Sequence, residues 1–110
     1  MVIELRHNED LDQLIERSRT DTVLIFKHST QCPVSTAAYD EFLRFTEKTS
    51  GATCGIVLVI EDRAVSDAIE SKLGVHHESP QAIVVANGRQ TWNASHWSIT
   101  ADALARAMKS

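Results

Sequence analysis

Short apolar runs along the chain predict a set of β-strands, the last two of which pair as a hairpin. The run at residues 22–27, Thr-Val-Leu-Ile-Phe-Lys, has no polar alternation, which is typical of a central strand covered on both faces. Asn87-Gly88 is the strongest short signal for a hairpin turn. The predicted strands occupy residues 2–5, 22–27, 54–60, 81–86 and 90–94.

Apolar residues at helical spacing predict a helix after each of the first three strands and another after the hairpin. Asn8 is predicted to cap the first helix, and Gly74 supplies the left-handed residue that ends the third. Pro33 is predicted to begin the second helix, because its missing N–H costs nothing in a first helical turn. The last helix is expected to start near Thr100.

The predicted order of elements is βαβαβαββα, with no linker, repeat or change of composition that marks a boundary. Parallel strands joined by helices require a layered α/β sheet, and the closing hairpin adds antiparallel strands to one side. The simplest topology that fits is a thioredoxin-like mixed sheet with helices on both faces. We therefore expect residues 1–110 to form one thioredoxin-like domain.

Composition and charge exclude several functional classes. The 110 residues carry a formal net charge of −4 and no basic stripe, so nucleic acid is not an expected partner. The apolar run at residues 55–60 is far shorter than the ~20 residues that cross a bilayer, so no membrane partner is expected. The first residues lack the basic region of a signal peptide. The expected location is the cytoplasm.

Cys32 is the leading candidate for chemistry. Cys32-Pro33-Val34-Ser35 lies where a buried strand passes into a helix, the edge at which open α/β sheets place their active groups. A thiolate at this N-cap can accept hydrogen bonds from the free N–H groups of the first helical turn. It also feels the positive end of the helix dipole, so its ionisation is favoured. Cys32 is therefore predicted to be a nucleophile rather than a simple helix cap.

Ser35 occupies the position at which a dithiol oxidoreductase keeps its resolving cysteine. Serine cannot form a disulfide, so Cys32 must finish any exchange with a thiol from another molecule. Cys54 begins the third predicted strand, roughly 20 Å from Cys32, whereas a disulfide needs Cα atoms within about 7 Å. Cys54 is interpreted as a small buried hydrophobe. The two cysteines and five scattered histidines lack zinc-site spacing, and no metal is expected.

These residues resemble the monothiol bacilliredoxins of the bacillithiol system, which are thioredoxin-like proteins with a Thr-Cys-Pro-Ile-Ser-type motif. The resemblance spans nearly the whole chain and rests on three segments: residues 26–35, residues 77–81, and Trp92 with residues 95–97. Gln31 and Val34 depart from the commonest form of the motif. Neither of these two residues carries the sulfur chemistry, so the implied reaction type is unchanged.

The resemblance implies a monothiol thiol-disulfide oxidoreductase that removes bacillithiol from bacillithiolated proteins. Cys32 takes bacillithiol onto its own sulfur, and a second thiol regenerates it. A glutathione-linked monothiol glutaredoxin is the nearest alternative. An iron-sulfur carrier is another, with one cysteine and one thiol cofactor from each of two chains holding a [2Fe–2S] cluster. A redox-inert thioredoxin-like adaptor is the third alternative.

The two downstream segments supply candidate binding residues. The resemblance implies that Pro80 is a cis-proline beside the active sulfur, and that Ser79 offers backbone groups to an extended substrate. If the last strand runs parallel to the strand before Cys32, residues 95–97 reach the same edge of the sheet. His77, His96 and Trp97 are therefore candidates for binding the small thiol.

Each of these assignments has a plainer alternative. The histidines are equally consistent with solvated loop residues. Trp92 and Trp97 either form a wall for a sugar ring or pack at a strand end. Lys27, close to the motif, either attracts an anionic thiol and favours the thiolate or points to solvent.

Overall fold

The computed structural model of the chain describes residues 1–109 and shows a five-stranded mixed sheet with two helices on each face. The strands are β1 (Val2–Glu4), β2 (Val23–His28), β3 (Thr53–Leu58), β4 (Gln81–Ala86) and β5 (Arg89–Ser95). The helices are α1 (Asn8–Arg17), α2 (Pro33–Lys48), α3 (Arg63–Leu73) and α4 (Ala101–Lys109), with a short 3₁₀ turn at His96–Ser98. The predicted βαβαβαββα order and thioredoxin-like architecture are confirmed.

The strand order in the sheet is β1-β3-β2-β4-β5. β1 and β2 each run parallel to β3, whereas β4 is antiparallel to both β2 and β5. β5 therefore runs parallel to β2, as expected. The end of β2, the start of β4 and the end of β5 consequently meet at one edge, which we call the thiol edge because Cys32 follows β2.

Two apolar layers sandwich the central strand. Leu24 and Phe26 of β2 pack with residues of α2 and α4 on one face of the sheet. Val23 and Ile25 pack with residues of α1 and α3 on the other face. Both faces of β2 are therefore buried, which explains why its sequence shows no polar alternation.

The start of α1 differs from the prediction by one residue. His7, not Asn8, is the N-cap, and Asn8 is the first helical residue. The carboxylate of Asp10 accepts hydrogen bonds from the backbone N–H groups of Arg6 and His7, both at 3.0 Å. This acidic side chain in the first turn satisfies the preceding backbone, so the helix does not need an asparagine cap.

The hairpin turn lies where the sequence predicts it, whereas the end of β3 does not. Asn87 and Gly88 both have positive φ, 54° and 77°, as the predicted hairpin turn requires. β3 ends at Leu58, although the apolar run predicted a strand up to residue 60. The Asp62 N–H donates to the Leu58 carbonyl, so the chain has already turned toward α3.

Within residues 1–109, no helix combines the length and the apolarity that crossing a membrane requires.

Candidate active site

Cys32 is the N-cap of α2 and has extended backbone angles, with Pro33 in the first helical turn, as predicted. Its carbonyl accepts the Thr36 N–H at 3.2 Å, and its own N–H donates to the Ser29 carbonyl at 3.4 Å. The residue is half-buried and its thiol is free. Its side chain makes no capping hydrogen bond. The hydrogen bonds expected from the first helical turn to the Cys32 sulfur are therefore not formed.

Ser35 is fully buried in the first turn of α2. Its Oγ accepts the Ser29 N–H at 2.9 Å and lies 2.8 Å from His28 Nδ1. The Ser29 hydroxyl in turn accepts the Gln31 N–H at 3.3 Å. Ser35 therefore joins α2 to the loop that precedes Cys32.

His28 is a site residue that sequence analysis did not single out. Its ring stacks on Tyr39 at a centroid distance of 4.8 Å and on Phe26 at 5.8 Å. Burial lowers the pKa of His28, against a smaller opposing effect from Glu61. The imidazole is therefore neutral near pH 7 and presents one N–H and one lone pair to its surroundings. A period-two reading of β2 would have placed His28 on the same face as Phe26.

Cys54 lies inside the sheet, away from the thiol edge. It pairs with Leu24 of β2, four residues before His28, which pairs with Leu58. At the rise of a β-strand this separation is about 13 Å along the sheet. Burial raises the pKa of the Cys54 thiol to about 11, although the N-terminal ammonium acts in the opposite direction. The interpretation of Cys54 as a small buried hydrophobe is confirmed.

This difference in environment predicts selective alkylation. In the native protein at pH 8, we expect iodoacetamide to modify Cys32 at least about 100-fold faster than Cys54. Only roughly one in a thousand Cys54 thiols is ionised at that pH, and the thiolate is the reactive form. A time course read by peptide mass spectrometry measures both rates, and a Cys54→Ala variant should lose only the slow reaction. Faster modification of Cys54 would overturn the assignment of Cys32 as the reactive thiol.

The loop before β4 reaches the thiol edge with a cis peptide between Ser79 and Pro80, as the resemblance implied. The Pro80 carbonyl accepts the His96 N–H at 3.1 Å, which joins this loop to the turn after β5. The Ser79 Oγ atom is buried and has no hydrogen-bond partner within the part of the chain that the structure describes. A buried hydroxyl in this state has hydrogen-bonding capacity to spare.

His96 and Trp97 lie beside α2 in the 3₁₀ turn after β5. A cavity of about 330 Å³ separates them from α2; its other lining residues are Ala37, Ala38, Glu41, Ile99 and Thr100. Trp97 is 73% exposed, so it does not serve as core packing. Trp92, in contrast, is partly buried against the core beneath α2 and α4. Of the two tryptophans, Trp97 is the more exposed and lies beside α2, whereas Trp92 lines a different cavity with Ala103 and Arg106 of α4.

His77 is placed on the other side of the sheet. It borders a cavity of about 350 Å³ beside α3, together with Val59 and Glu70. Its Nδ1 lies 2.5 Å from Nζ of Lys27, which is fully buried. Lys27 therefore does not point to solvent, so that interpretation is wrong, and its hydrogen-bond partner is His77. The structure brings His96 and Trp97 to the α2 face but leaves His77 on the α3 face.

The pKa values of Lys27 and His77 are both lowered from their ordinary values. Burial lowers the pKa of Lys27 to about 8, although Glu70, Asp67 and Glu78 act against the shift. Burial and then the charge of Lys27 lower the pKa of His77. At neutral pH the Lys27 ammonium therefore donates to the lone pair of a neutral His77.

Among residues 1–109, no group of three or more His, Cys, Asp or Glu side chains is arranged to hold a metal ion.

The sheet order and the cysteine at the start of α2 place the protein in the class of thioredoxin-fold thiol oxidoreductases. A solved protein described as having a thioredoxin fold matches with a TM-score of 0.87 and 37% identity, over 96% of this chain and 92% of that one. Thioredoxin from Fasciola hepatica matches with a TM-score of 0.77 and 11% identity, over 97% and 96% of the two chains. Schistosoma mansoni thioredoxin matches with a TM-score of 0.76 and 19% identity, over 98% of this chain and 95% of that one. These two more distant matches show the fold alone.

Within that class, the family is also defined. The family model described as monothiol bacilliredoxin BrxC matches residues 3–104. The match includes the cysteine motif, the cis-proline loop and the turn after β5. The chain belongs to the monothiol bacilliredoxin family, as its motifs suggested.

Proposed function

We propose that the protein removes bacillithiol from protein mixed disulfides by a monothiol reaction at Cys32. The observation that carries the proposal is the environment of the sulfur. Cys32 is half-buried with a free thiol at the start of α2, while the residue three positions later is a buried, hydrogen-bonded serine. Cys54 is buried in β3, about 13 Å along the sheet from the level of His28, where β2 ends. This arrangement supports a mechanism in which the second thiol comes from another molecule.

The reaction exchanges one disulfide for another. The Cys32 thiolate attacks the bacillithiol sulfur of the mixed disulfide, and the bond between that sulfur and the substrate protein breaks. The electron pair leaves on the protein sulfur, which takes a proton from water, while bacillithiol remains bonded to Cys32. A second small thiol then attacks the bacillithiol sulfur, which frees Cys32 and leaves a disulfide of two small thiols.

The polypeptide of the substrate is proposed to lie against the cis-proline loop. Ser79, which precedes Pro80, would pair its backbone with an extended segment beside the mixed disulfide. Its buried Oγ, without a partner among residues 1–109, supports this role because a substrate amide or carbonyl could satisfy it.

The small thiol is proposed to occupy the cavity beside Trp97. The exposed indole ring offers an apolar wall of the kind that packs against a sugar ring, and His96 supplies a ring nitrogen at its border. Bacillithiol is proposed as the preferred thiol on the strength of family membership. The proposed setting is the cytoplasm, where cysteines such as these two remain reduced.

A comparison of small thiols tests the proposed substrate. One carrier protein is prepared in a bacillithiolated and a glutathionylated form, and release of its thiol is followed over time. We expect the bacillithiolated form to react at least about tenfold faster, an advantage of roughly 1.4 kcal/mol in transition-state binding. The Trp97→Ala variant should reduce this preference, whereas Ile60→Ala, a change at another exposed apolar residue, should not.

Other outcomes would identify the alternatives. Faster removal of glutathione would keep the monothiol mechanism and assign the protein to glutathione chemistry. No transfer at all, together with a brown absorbing protein after anaerobic reconstitution, would indicate an iron-sulfur carrier.

A further inference from the structure

Two buried polar side chains reach from the sheet to the loop before the cis-proline. Lys27 and Gln81 face each other across β2 and β4, and they are only 0% and 1% exposed. Lys27 Nζ contacts His77 Nδ1 at 2.5 Å. Gln81 Nε2 donates to the His76 carbonyl at 3.0 Å, and its Oε1 accepts the Glu78 N–H at 3.4 Å. Lys27 of β2 and Gln81 of β4 therefore contact three consecutive loop residues, 76–78.

Helix α3 holds the same loop from the side. The Glu70 carboxylate accepts the His77 N–H at 3.3 Å and lies 3.5 Å from His76 Nδ1. Residues 76–78 are thus fixed by side chains of β2, β4 and α3. Ser79 and Pro80 follow them directly, so their position at the thiol edge depends on these contacts.

The hydrogen bond of Lys27 is to His77 and not to Cys32. The lysine lies on the α3 face of the sheet, whereas Cys32 begins α2 on the other face. No carboxylate among residues 1–109 lies within ion-pair distance of its ammonium, and its polar contact is to a neutral imidazole. An apolar side chain of similar length would be cheaper to bury at this position. The contact to the loop is what the lysine adds.

We propose that Lys27 is a positioning residue which, together with Gln81, holds residues 76–78 so that Ser79 presents its backbone to the peptide around the mixed disulfide. The inference rests on the proposed function. Lys27 acts through His77 and touches neither the sulfur nor the substrate. Its loss should therefore weaken the binding of peptide substrates and leave the intrinsic reactivity of Cys32 unchanged.

Replacement of Lys27 by methionine separates these two effects. The first readout is the rate with a small aromatic disulfide, 5,5′-dithiobis(2-nitrobenzoate), which has no peptide to pair with Ser79. The second is the exchange rate with one cysteine peptide, supplied both as its bacillithiol and as its glutathione mixed disulfide. For Lys27→Met we expect the small-disulfide rate within about twofold of wild type, and a KM for peptide five- to tenfold higher at similar kcat.

Two further variants test whether the effect of Lys27→Met comes from its contact with His77. Lys48→Met changes the same residue type at the exposed far end of α2 and should alter neither rate. His77→Leu removes the acceptor and should reproduce the selective rise in KM, while its unfolding midpoint should fall because the buried Lys27 ammonium loses its hydrogen-bond partner. The thermal unfolding midpoint of Lys27→Met at pH 7 should be no lower than that of wild type, because a buried charge has been removed.

The pair also gives the loop an acid-sensitive signature. Below the pKa of His77 both partners are protonated and neither can accept, so the contact is lost and the wild-type KM for peptide should rise. Arg63, Asp67 and Glu70 of α3 and Glu78 of the loop face the same pair and set the midpoint of this change. Lys27→Met should lack this acid-dependent step.

The possible outcomes distinguish a positioning role of Lys27 from a purely structural one. Equal losses with the small disulfide and with the peptide, accompanied by a lower unfolding midpoint, would show that Lys27 is merely structural. An unchanged KM for peptide would also overturn the positioning role. If wild type reacts with the glutathione peptide but not the bacillithiol peptide, the proposed substrate is wrong, and the Lys27→Met comparison on the glutathione peptide still decides the inference.

Discussion

Replacement of Cys32 by serine is expected to reduce transfer of bacillithiol to the uncatalysed background, a loss of more than about a thousand-fold, because a hydroxyl cannot form the mixed disulfide. Cys32→Ala should be equally inactive. Release of the substrate protein's thiol is the measurement. Serine is also a favourable helix N-cap, so the Cys32→Ser protein should unfold at the same temperature as wild type or higher.

Cys54→Ala is the matched control for this loss. It removes the other thiol of the chain, which lies inside the sheet, and should leave the transfer rate within about twofold of wild type. Transfer that persists in Cys32→Ser or Cys32→Ala would contradict a reaction centred on this sulfur.

Replacement of Ser35 by cysteine should convert the monothiol site into a dithiol one. An N-cap and the residue three positions later share the first turn of a helix, so their two sulfurs come within bonding reach. After mild oxidation, thiol titration in denaturant should find one free thiol in Ser35→Cys, that of Cys54. The exchange should then release the small thiol without a second small-thiol molecule. Three free thiols after oxidation would show that the proposed geometry of the turn is wrong.

Ser35→Ala separates the chemistry of this position from its structural role. Alanine leaves the buried Ser29 N–H without its acceptor and removes the partner of His28. The free energy of unfolding should fall by about 1–3 kcal/mol, the usual cost of an unsatisfied buried group. Monothiol transfer should continue, because Ser35 takes no part in the sulfur exchange. Denaturant unfolding and the transfer assay together check both expectations.

The order of elements could be read from the sequence because each signal is local. An unbroken apolar run marks a strand buried on both faces, and Pro33 or Gly74 marks a helix end by its own backbone preference. The place of Cys32 followed from these two signals together. The meeting of three segments at the thiol edge followed from strand directions, on the condition that the last strand runs parallel to β2, which the structure shows.

The polar network under the motif could not be predicted in the same way. The contact between Lys27 and His77 joins residues 50 positions apart and depends on which face of β2 the lysine occupies. The run at residues 22–27 predicts a buried strand, and its residues 23–27 are buried, but the run alone does not predict the partner of the lysine inside it. Period-two alternation with Phe26 separates Lys27 from His28, but the partner of each comes only from the tertiary packing.

The ends of elements also depended on competition between nearby groups. Asn8 is a favourable cap by type, but the Asp10 carboxylate satisfies the backbone before α1 and moves the cap to His7. Trp92 lies inside β5, where it pairs with Val84 and packs partly against the core, whereas Trp97 follows the strand in the 3₁₀ turn and is exposed. Their different exposure therefore depends on where the strand ends and on what packs against its face.

The mass of the trapped intermediate tests the central claim most directly. Wild-type protein is mixed with a bacillithiolated protein without a reductant, digested under non-reducing conditions, and read by mass spectrometry. We expect one bacillithiol on the tryptic peptide of residues 28–44, which contains Cys32, and release of the substrate thiol in equal amount. An adduct on the peptide of Cys54, or release of the substrate thiol with no adduct on Cys32, would contradict the monothiol mechanism.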